Sequence, residues 1–229
     1  MNGADYTAVD MRTGYGSADV DERLVDPDGA PRIFDLLVAS VGLMVLLPLM
    51  AFVSVLVFLS DPGAPIVFAH RRIGRDGREF HCLKFRTMVV DSQERLERLL
   101  ASDPAARAEW HANHKLMNDP RVTAIGRFLR KSSFDELPQI INVLRGDMAV
   151  VGPRPIIQDE VRRYGRYFSH YCAQRPGITG LWQISGRSNT DYRRRVAIDV
   201  AYCRSKCLLL DLRILIMTVP AVLLARGSA

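Results

Sequence analysis

From Leu36 to Leu59 the chain reads LLVASVGLMVLLPLMAFVSVLVFL, twenty-four residues without a charge. As a helix rising ~1.5 Å per residue this stretch is about 36 Å long, against a bilayer hydrocarbon core of ~30 Å, so it belongs in a membrane. Pro48 stands almost at its centre, where it removes a backbone donor and clashes with the preceding turn. Two courses stay open on these residues alone. The segment either spans the membrane, or breaks at the proline and turns back so that both ends lie on one side.

Beyond the turn-rich SDPGAP, the run IVFAHRRIGRDGREFHCLKFRTM predicts two short strands around Arg75-Asp76-Gly77-Arg78, since Asp-Gly suits the positive φ angles of a tight turn. Strand alternation then puts Lys84 and Arg86, two apart, on the same side. Leu96, Leu99 and Leu100 recur at helical spacing among charges, predicting a partly exposed helix from Asp91 to about Asn113. RVTAIGRFLRKS predicts another helix, while VVGPRP and RPGITGLWQISGR read as loops and short strands. Leu208 to Ala225 is apolar again, but only twelve residues separate Arg213 from Arg226, too few to span. An amphipathic helix on the membrane beside Arg193-Arg194-Arg195, or an ordinary core helix, are the two readings. The fold class expected is mainly α with a small β-hairpin: an acidic disordered tail over residues 1–31, a Pro-broken membrane element over 32–60, and a body over 61–229 ending in an interfacial helix.

Charge adds a direction to this outline. Of the net +6, residues 1–32 contribute −4, seven acids against three arginines, leaving the remainder at +10. A basic body favours a partner with negative charge, such as phosphate or anionic lipid. No basic stretch precedes an apolar one at the start of the chain, which argues against a cleaved signal peptide. Cys82, Cys172, Cys203 and Cys207 form no CxxC pair and point to a reducing compartment. Cys203 with Cys207, and His111 with His114, would share helical faces, but neither pair is assigned a metal.

The candidate chemistry lies in SSFDELPQ. Ser133 with Glu136 fits a capping box, and acids in a first helical turn complement the helix dipole, which explains Asp135 and Glu136 without any function. The same position is also where anions bind, provided cations offset the acids. Lys84, Arg86, Arg130, Lys131, Arg154 and Arg175 are available, the last two shaped by neighbouring proline or glycine, and an arginine fork suits phosphate. Neither the aromatic platforms of single-strand binders nor a recognition helix is evident, so no nucleic-acid partner is expected.

KFRTM (84–88), DELPQ (135–139), VGPRP (151–155) and RPGITGLWQ (175–183), in this order after an apolar segment, resemble the bacterial sugar transferases, the monotopic phosphoglycosyl transferases. The resemblance covers about Arg32 to Gly227. It implies transfer of hexose 1-phosphate from a UDP-sugar, with galactose and glucose as leading sugars, to undecaprenyl phosphate. UMP is released through a covalent aspartyl intermediate, as the first step of exopolysaccharide or glycan assembly. It further implies Mg²⁺, Asp135 as nucleophile, Glu136 as metal holder, and substrate binding by Lys84, Arg130, Arg154 and Arg175, to which the strand reading adds Arg86. The implied setting is the cytoplasmic face of the bacterial inner membrane, with membrane lipids as partners, a re-entrant anchor, and self-association left open. The family's bend is often Ser-Pro, whereas Leu47-Pro48 stands here.

Overall fold

A computed structural model describes residues 30–113, 116–185 and 191–223. The expected tail, apart from its last two residues, and His114 lie outside the described residues. The described residues are mainly helical, and they begin with α1 (Ala30–Ser60). Pro48 sits inside α1 without ending it, because one missing donor is a local loss that the apolar, strongly helix-forming turns on either side outlast. Leu37, Val41, Met44, Val45, Leu47, Phe52, Val55 and Leu59 face outward, while Ala39, Met50, Val53 and Val57 are buried in the main core. Both ends of α1 are tethered. Arg32 Nη2 donates to the Leu144 carbonyl at 3.2 Å and Asp35 Oδ1 accepts from the Val150 N–H at 2.8 Å. Just past the other end, Asp61 Oδ2 accepts from Arg86 Nη1 at 2.8 Å.

The hairpin forms as expected, β1 (Val67–Ile73) against β2 (Glu79–Phe85), antiparallel, with Val67 opposite Phe85 and Ile73 opposite Glu79. Its turn bends through Asp76 and Gly77 at φ 59° and 70°, the left-handed geometry that the Asp-Gly pair accommodates. The single helix expected over 91–113 is instead two, α2 (Ser92–Ser102) and α3 (Pro104–Asn113). Pro104 cannot continue a helix but can begin one, and Asp103 Oδ1 accepts from the Ala105 and Ala106 N–H groups at the new start.

Then come α4 (Ala124–Ser132), α5 (Gln139–Arg145), β3 (Ala149–Val151), α6 (Gln158–Tyr164), α7 (Phe168–Cys172), β4 (Gly177–Thr179) and α8 (Leu181–Ile184). The chain closes with α9 (Tyr192–Ser205) and α10 (Leu208–Leu223). The strands β3 and β4 pair in parallel, bringing VGPRP beside RPGITG. The backbones approach so closely at Gly152 that a Cβ there would collide with the Arg175 carbonyl. A second, smaller core of Ile73, Ile156, Val161, Tyr164, Tyr171, Val196 and Val200 joins the hairpin turn to α6, α7 and α9.

Two expectations about the C-terminal third change. α9 ends at Ser205, so Cys203 is buried on it while Cys207 lies beyond it and exposed; they share no helix face. Arg195 does not face a membrane but is buried, because Glu160 and Asp199 pair with it inside the second core. On α10, Leu208, Leu209, Leu212, Ile216, Met217 and Val219 are exposed while Asp211 and Ile214 are buried, an apolar outer face over a polar anchor.

Candidate active site

Asn142, fully buried on α5, docks the hairpin: its Oδ1 accepts from the Leu83 N–H at 2.9 Å and its Nδ2 donates to the His81 carbonyl at 2.8 Å. With β2 fixed at Leu83, the next residue projects its ammonium onto the acidic pair. Lys84 Nζ donates to Glu136 Oε1 at 2.6 Å and stands 3.9 Å from Asp135 Oδ2. Past β2 the chain keeps its line. Thr87 accepts from the Thr123 N–H through its carbonyl and from Arg130 Nε through its hydroxyl, at 2.9 Å for the latter. Thr123 caps α4 by accepting from the Gly126 N–H at 2.9 Å, and the last turn of that helix carries Arg130 to the acids.

The acids do not sit in a capping box. Ser133 adopts a left-handed conformation, φ 59°, that ends α4, and its side chain makes no cap. The three residues Phe134–Glu136 form a 3-10 turn ahead of Pro138 and α5. A helix terminus thus reverses the chain here rather than starting it, and the S-x-x-E spacing goes unused.

The two carboxyls differ in their surroundings. Asp135 keeps 12 % of its side chain exposed, and burial pushes its pKa up to about 6, with Glu136 adding repulsion while Lys84 and Arg130 pull the other way. Glu136 is densely surrounded yet keeps 32 % of its side chain open. Burial opposes its charge too, but Lys84, Arg154 and Arg72 outweigh that and hold it below the usual carboxylate range. One acid is therefore poised near neutrality and the other is firmly ionised.

Of the expected substrate cations, Lys84 contacts the pair, Arg130 acts through its charge on Asp135 and Arg154 on Glu136, and two are engaged elsewhere. Arg86 lies one residue past β2, where alternation no longer governs it, and it grips Asp61 by two bonds, at 2.8 Å to the carboxylate and 3.1 Å to the carbonyl. Arg175 donates through Nε to the Gly146 carbonyl at the end of α5, at 3.1 Å. Arg72 went unnoticed in the sequence. It donates to the Pro155 carbonyl at 3.2 Å, which holds it beside Arg154, and lies 3.8 Å from Glu160. Its only signal was a second arginine in a strand facing Phe80, which ordinary surface charge also explains. A cleft of about 370 Å³ between the hairpin and the start of α6 shares Arg72 with this cluster but is lined by none of Lys84, Arg130, Asp135, Glu136 or Arg154.

Among the described residues no three His, Cys, Asp or Glu side chains converge on one point, so a cage made wholly of protein ligands is not on offer. A magnesium ion needs no such cage, since one or two carboxylates with substrate phosphates suffice. Glu136, ionised and open to solvent, fits that need better than Asp135.

Comparison with known proteins bears on this cluster. The family described as bacterial sugar transferase matches residues 28–225. The exopolysaccharide production protein ExoY of Rhizobium meliloti is 50 % identical over 199 residues, 87 % of this chain and 88 % of that protein. The undecaprenyl-phosphate galactose phosphotransferase of Salmonella typhimurium is 49 % identical over 197 residues, 86 % of this chain but 41 % of its own length. The UDP-glucose:undecaprenyl-phosphate glucose-1-phosphate transferase of Escherichia coli is 36 % identical over 196 residues, covering 82 % of this chain and 39 % of that one. The chain spans about two fifths of these last two relatives.

Proposed function

The chain belongs to the bacterial sugar transferase family, and from that premise we propose that it transfers hexose 1-phosphate from a UDP-sugar to undecaprenyl phosphate, releasing UMP. The observation that carries the reading is the unlike pair: a buried Asp135 with a pKa near 6 beside an ionised, solvent-open Glu136, with Lys84 between them. Two carboxyls driven apart in this way suit two roles. At pH 7 Asp135 is mostly ionised and thinly solvated, which suits a nucleophile.

In the first half-reaction an Asp135 oxygen attacks the phosphorus that bears the sugar. The bond from that phosphorus to the bridging oxygen breaks, and UMP departs with the electron pair. In the second, a phosphate oxygen of undecaprenyl phosphate attacks the same phosphorus, and the Asp135 carboxylate leaves. Lys84 and Arg130 keep Asp135 charged in spite of its burial. Arg154, held between two prolines, offers its fork to the diphosphate. Glu136 would hold Mg²⁺, which when bound supplies charge neutralisation to the donor phosphates.

The acceptor is a lipid, and α1 is long and apolar enough to reach it. Tethers at both ends of α1, Arg32 and Asp35 at one and Asp61 at the other, hold the same body. If α1 crossed the bilayer, Asp35 and Asp61 would be separated by about 39 Å along it, with one tether on the far side of a ~30 Å core. A course that keeps both ends of the continuous α1 on one side, with any bend at Pro48 falling inside the helix, avoids this and supports a monotopic anchor at the cytoplasmic face of the inner membrane, where UDP-sugars are found. The outer face of α10 would lie in the same interface. Incubation of purified protein with undecaprenyl phosphate, Mg²⁺ and a panel of UDP-sugars should yield UMP with galactose or glucose donors. Release of UDP instead would mean that the sugar alone is passed on, and the reading would fall.

A further inference from the structure

The guanidinium of Arg154 makes no hydrogen bond or ion pair among the described residues; its recorded partner is the ring of Trp182, with Cζ 5.3 Å from the ring centroid. The same ring carries a second arginine, Arg195, at 4.9 Å. The two cations are in opposite situations. Arg195 is buried and neutralised, its Nη1 3.3 Å from Glu160 and its Nε 4.0 Å from Asp199, and Asp199 is fixed in turn by the Tyr164 hydroxyl at 2.7 Å. Among the described residues the Arg154 guanidinium keeps its donors uncommitted.

Trp182 itself is 8 % exposed, and its indole Nε1 is buried without a hydrogen-bond partner. A buried indole N–H without a partner is a cost that leucine or phenylalanine would not carry. What tryptophan supplies in return is the largest aromatic face, the one on which a guanidinium binds best. The loop geometry agrees. Pro153 and Pro155 fix the backbone on either side of Arg154, and Arg72 holds the Pro155 carbonyl at 3.2 Å. The backbone therefore sets where Arg154 starts, and the indole sets where its fork ends. The charge of Arg154 is felt at Glu136 and also at Asp199, so the fork lies in the field of both acids.

We propose that Trp182 is a positioning residue, holding the Arg154 fork over the acidic pair so that its free donors meet the diphosphate of the nucleotide donor. This deepens the proposed function and rests on it. Trp182 touches no reacting atom on this account; it acts through Arg154. A face-bound guanidinium is held by about 0.5–2 kcal/mol, equivalent to roughly 2- to 30-fold in binding.

The test is steady-state UMP release by the full chain in detergent or nanodiscs, for Trp182→Phe and Trp182→Leu, each alone and combined with Arg154→Ala. Phenylalanine keeps a smaller face and leucine keeps only the apolar volume. The KM for the UDP-sugar should rise in the order wild type, Trp182→Phe, Trp182→Leu, by about 2- to 30-fold. The KM for undecaprenyl phosphate should stay within about two-fold of wild type, because Arg154 is aimed at the donor. In the Arg154→Ala background both substitutions should become nearly silent. If Trp182→Leu fails to fold, the Trp182→Phe cycle carries the same comparison. Effects that persist at full size without Arg154, or that raise both KM values alike, would show a merely structural tryptophan and overturn the proposal. Active wild type with unaffected Trp182 variants would remove this inference alone. Wild type that releases no UMP from any UDP-sugar would remove the functional reading and this inference with it.

Discussion

Replacing Asp135 with Asn should abolish activity and, at neutral pH, make the substrate-free protein more stable. Burial raises the carboxyl from 3.8 to about 6, so the folded state holds the proton more tightly than the unfolded chain does. Below pH ~4 both states are protonated and the group costs nothing. Between about 4 and 6 the unfolded chain releases the proton while the folded protein retains it, and stability falls as pH rises. Above about 6 the penalty is constant, at most about 3 kcal/mol for a shift of roughly two units. Asparagine keeps the shape and does not titrate. Lys84 keeps its partner through Glu136 at 2.6 Å, so the change strands no cation.

The assay is thermal unfolding of wild type and Asp135→Asn in micelles, with chelator and without donor, from pH 4.5 to 8. A domain of this size shifts by about 2–4 °C per kcal/mol, so the variant should gain up to roughly 6–12 °C at pH 7.5, shrinking toward nothing near pH 4. Groups remote from Asp135 titrate alike in both proteins and drop out of the difference. Added Mg²⁺ and donor should narrow the gap by stabilising the wild type. A gap that does not change with pH, or a wild type more stable at pH 7.5, would refute the argument that Asp135 is a strained, desolvated acid. In separate samples with Mg²⁺ and no chelator, intact-mass spectrometry after UDP-sugar addition should show a hexose-phosphate adduct on wild type and none on the variant.

Lys84→Met removes the nearest cation from both acids, so Asp135 should titrate still higher; the acid limb of UMP release against pH should move upward by a unit or more. Arg175→Ala should cost about 1 kcal/mol or more in thermal stability through the lost bond to the Gly146 carbonyl, with the donor KM within about two-fold of wild type. Arg154→Ala should raise that KM at least ten-fold, while Arg78→Ala at the hairpin turn should leave it unchanged, since isolated exposed charges contribute little. Equal losses at Arg154 and Arg78 would mean that bulk charge, not a shaped site, recruits the donor.

Much of the fold could be read from local pattern. The uncharged run of α1, the Asp-Gly turn and the amphipathic spacing of α4 and α10 are properties of neighbouring residues, and neighbours determine them. Pro104 was equally local, and a proline inside a helical pattern is itself the boundary signal. Other features depended on what each segment met in space. Lys84 and Arg86 share a strand side by alternation, but one meets Glu136 and the other Asp61 because β2 ends at Phe85. Ser133 matches a capping box in spacing, yet α4 needs it as the left-handed residue that stops the helix. Arg195, one of three consecutive arginines, is selected for the interior by two acids, one of them thirty-five positions away.

The acidic pair shows why adjacency alone could not divide the labour between Asp135 and Glu136. Two neighbouring carboxylates in a sequence are chemically near-equivalent; what separates them is the direction each side chain takes from a 3-10 turn. In that tight turn Asp135 keeps only 12 % of its side chain exposed, where water is scarce, while Glu136 keeps 32 % and meets Lys84 at 2.6 Å. An α-helical first turn would instead have offered both acids the same dipole and much the same solvent. The left-handed Ser133, which breaks the capping box, is therefore what makes the pair unequal. The proposed reaction, which forms and then breaks an acyl phosphate on Asp135, would gain from that inequality: the poorly solvated acid can attack, and the ionised one can hold charge beside it.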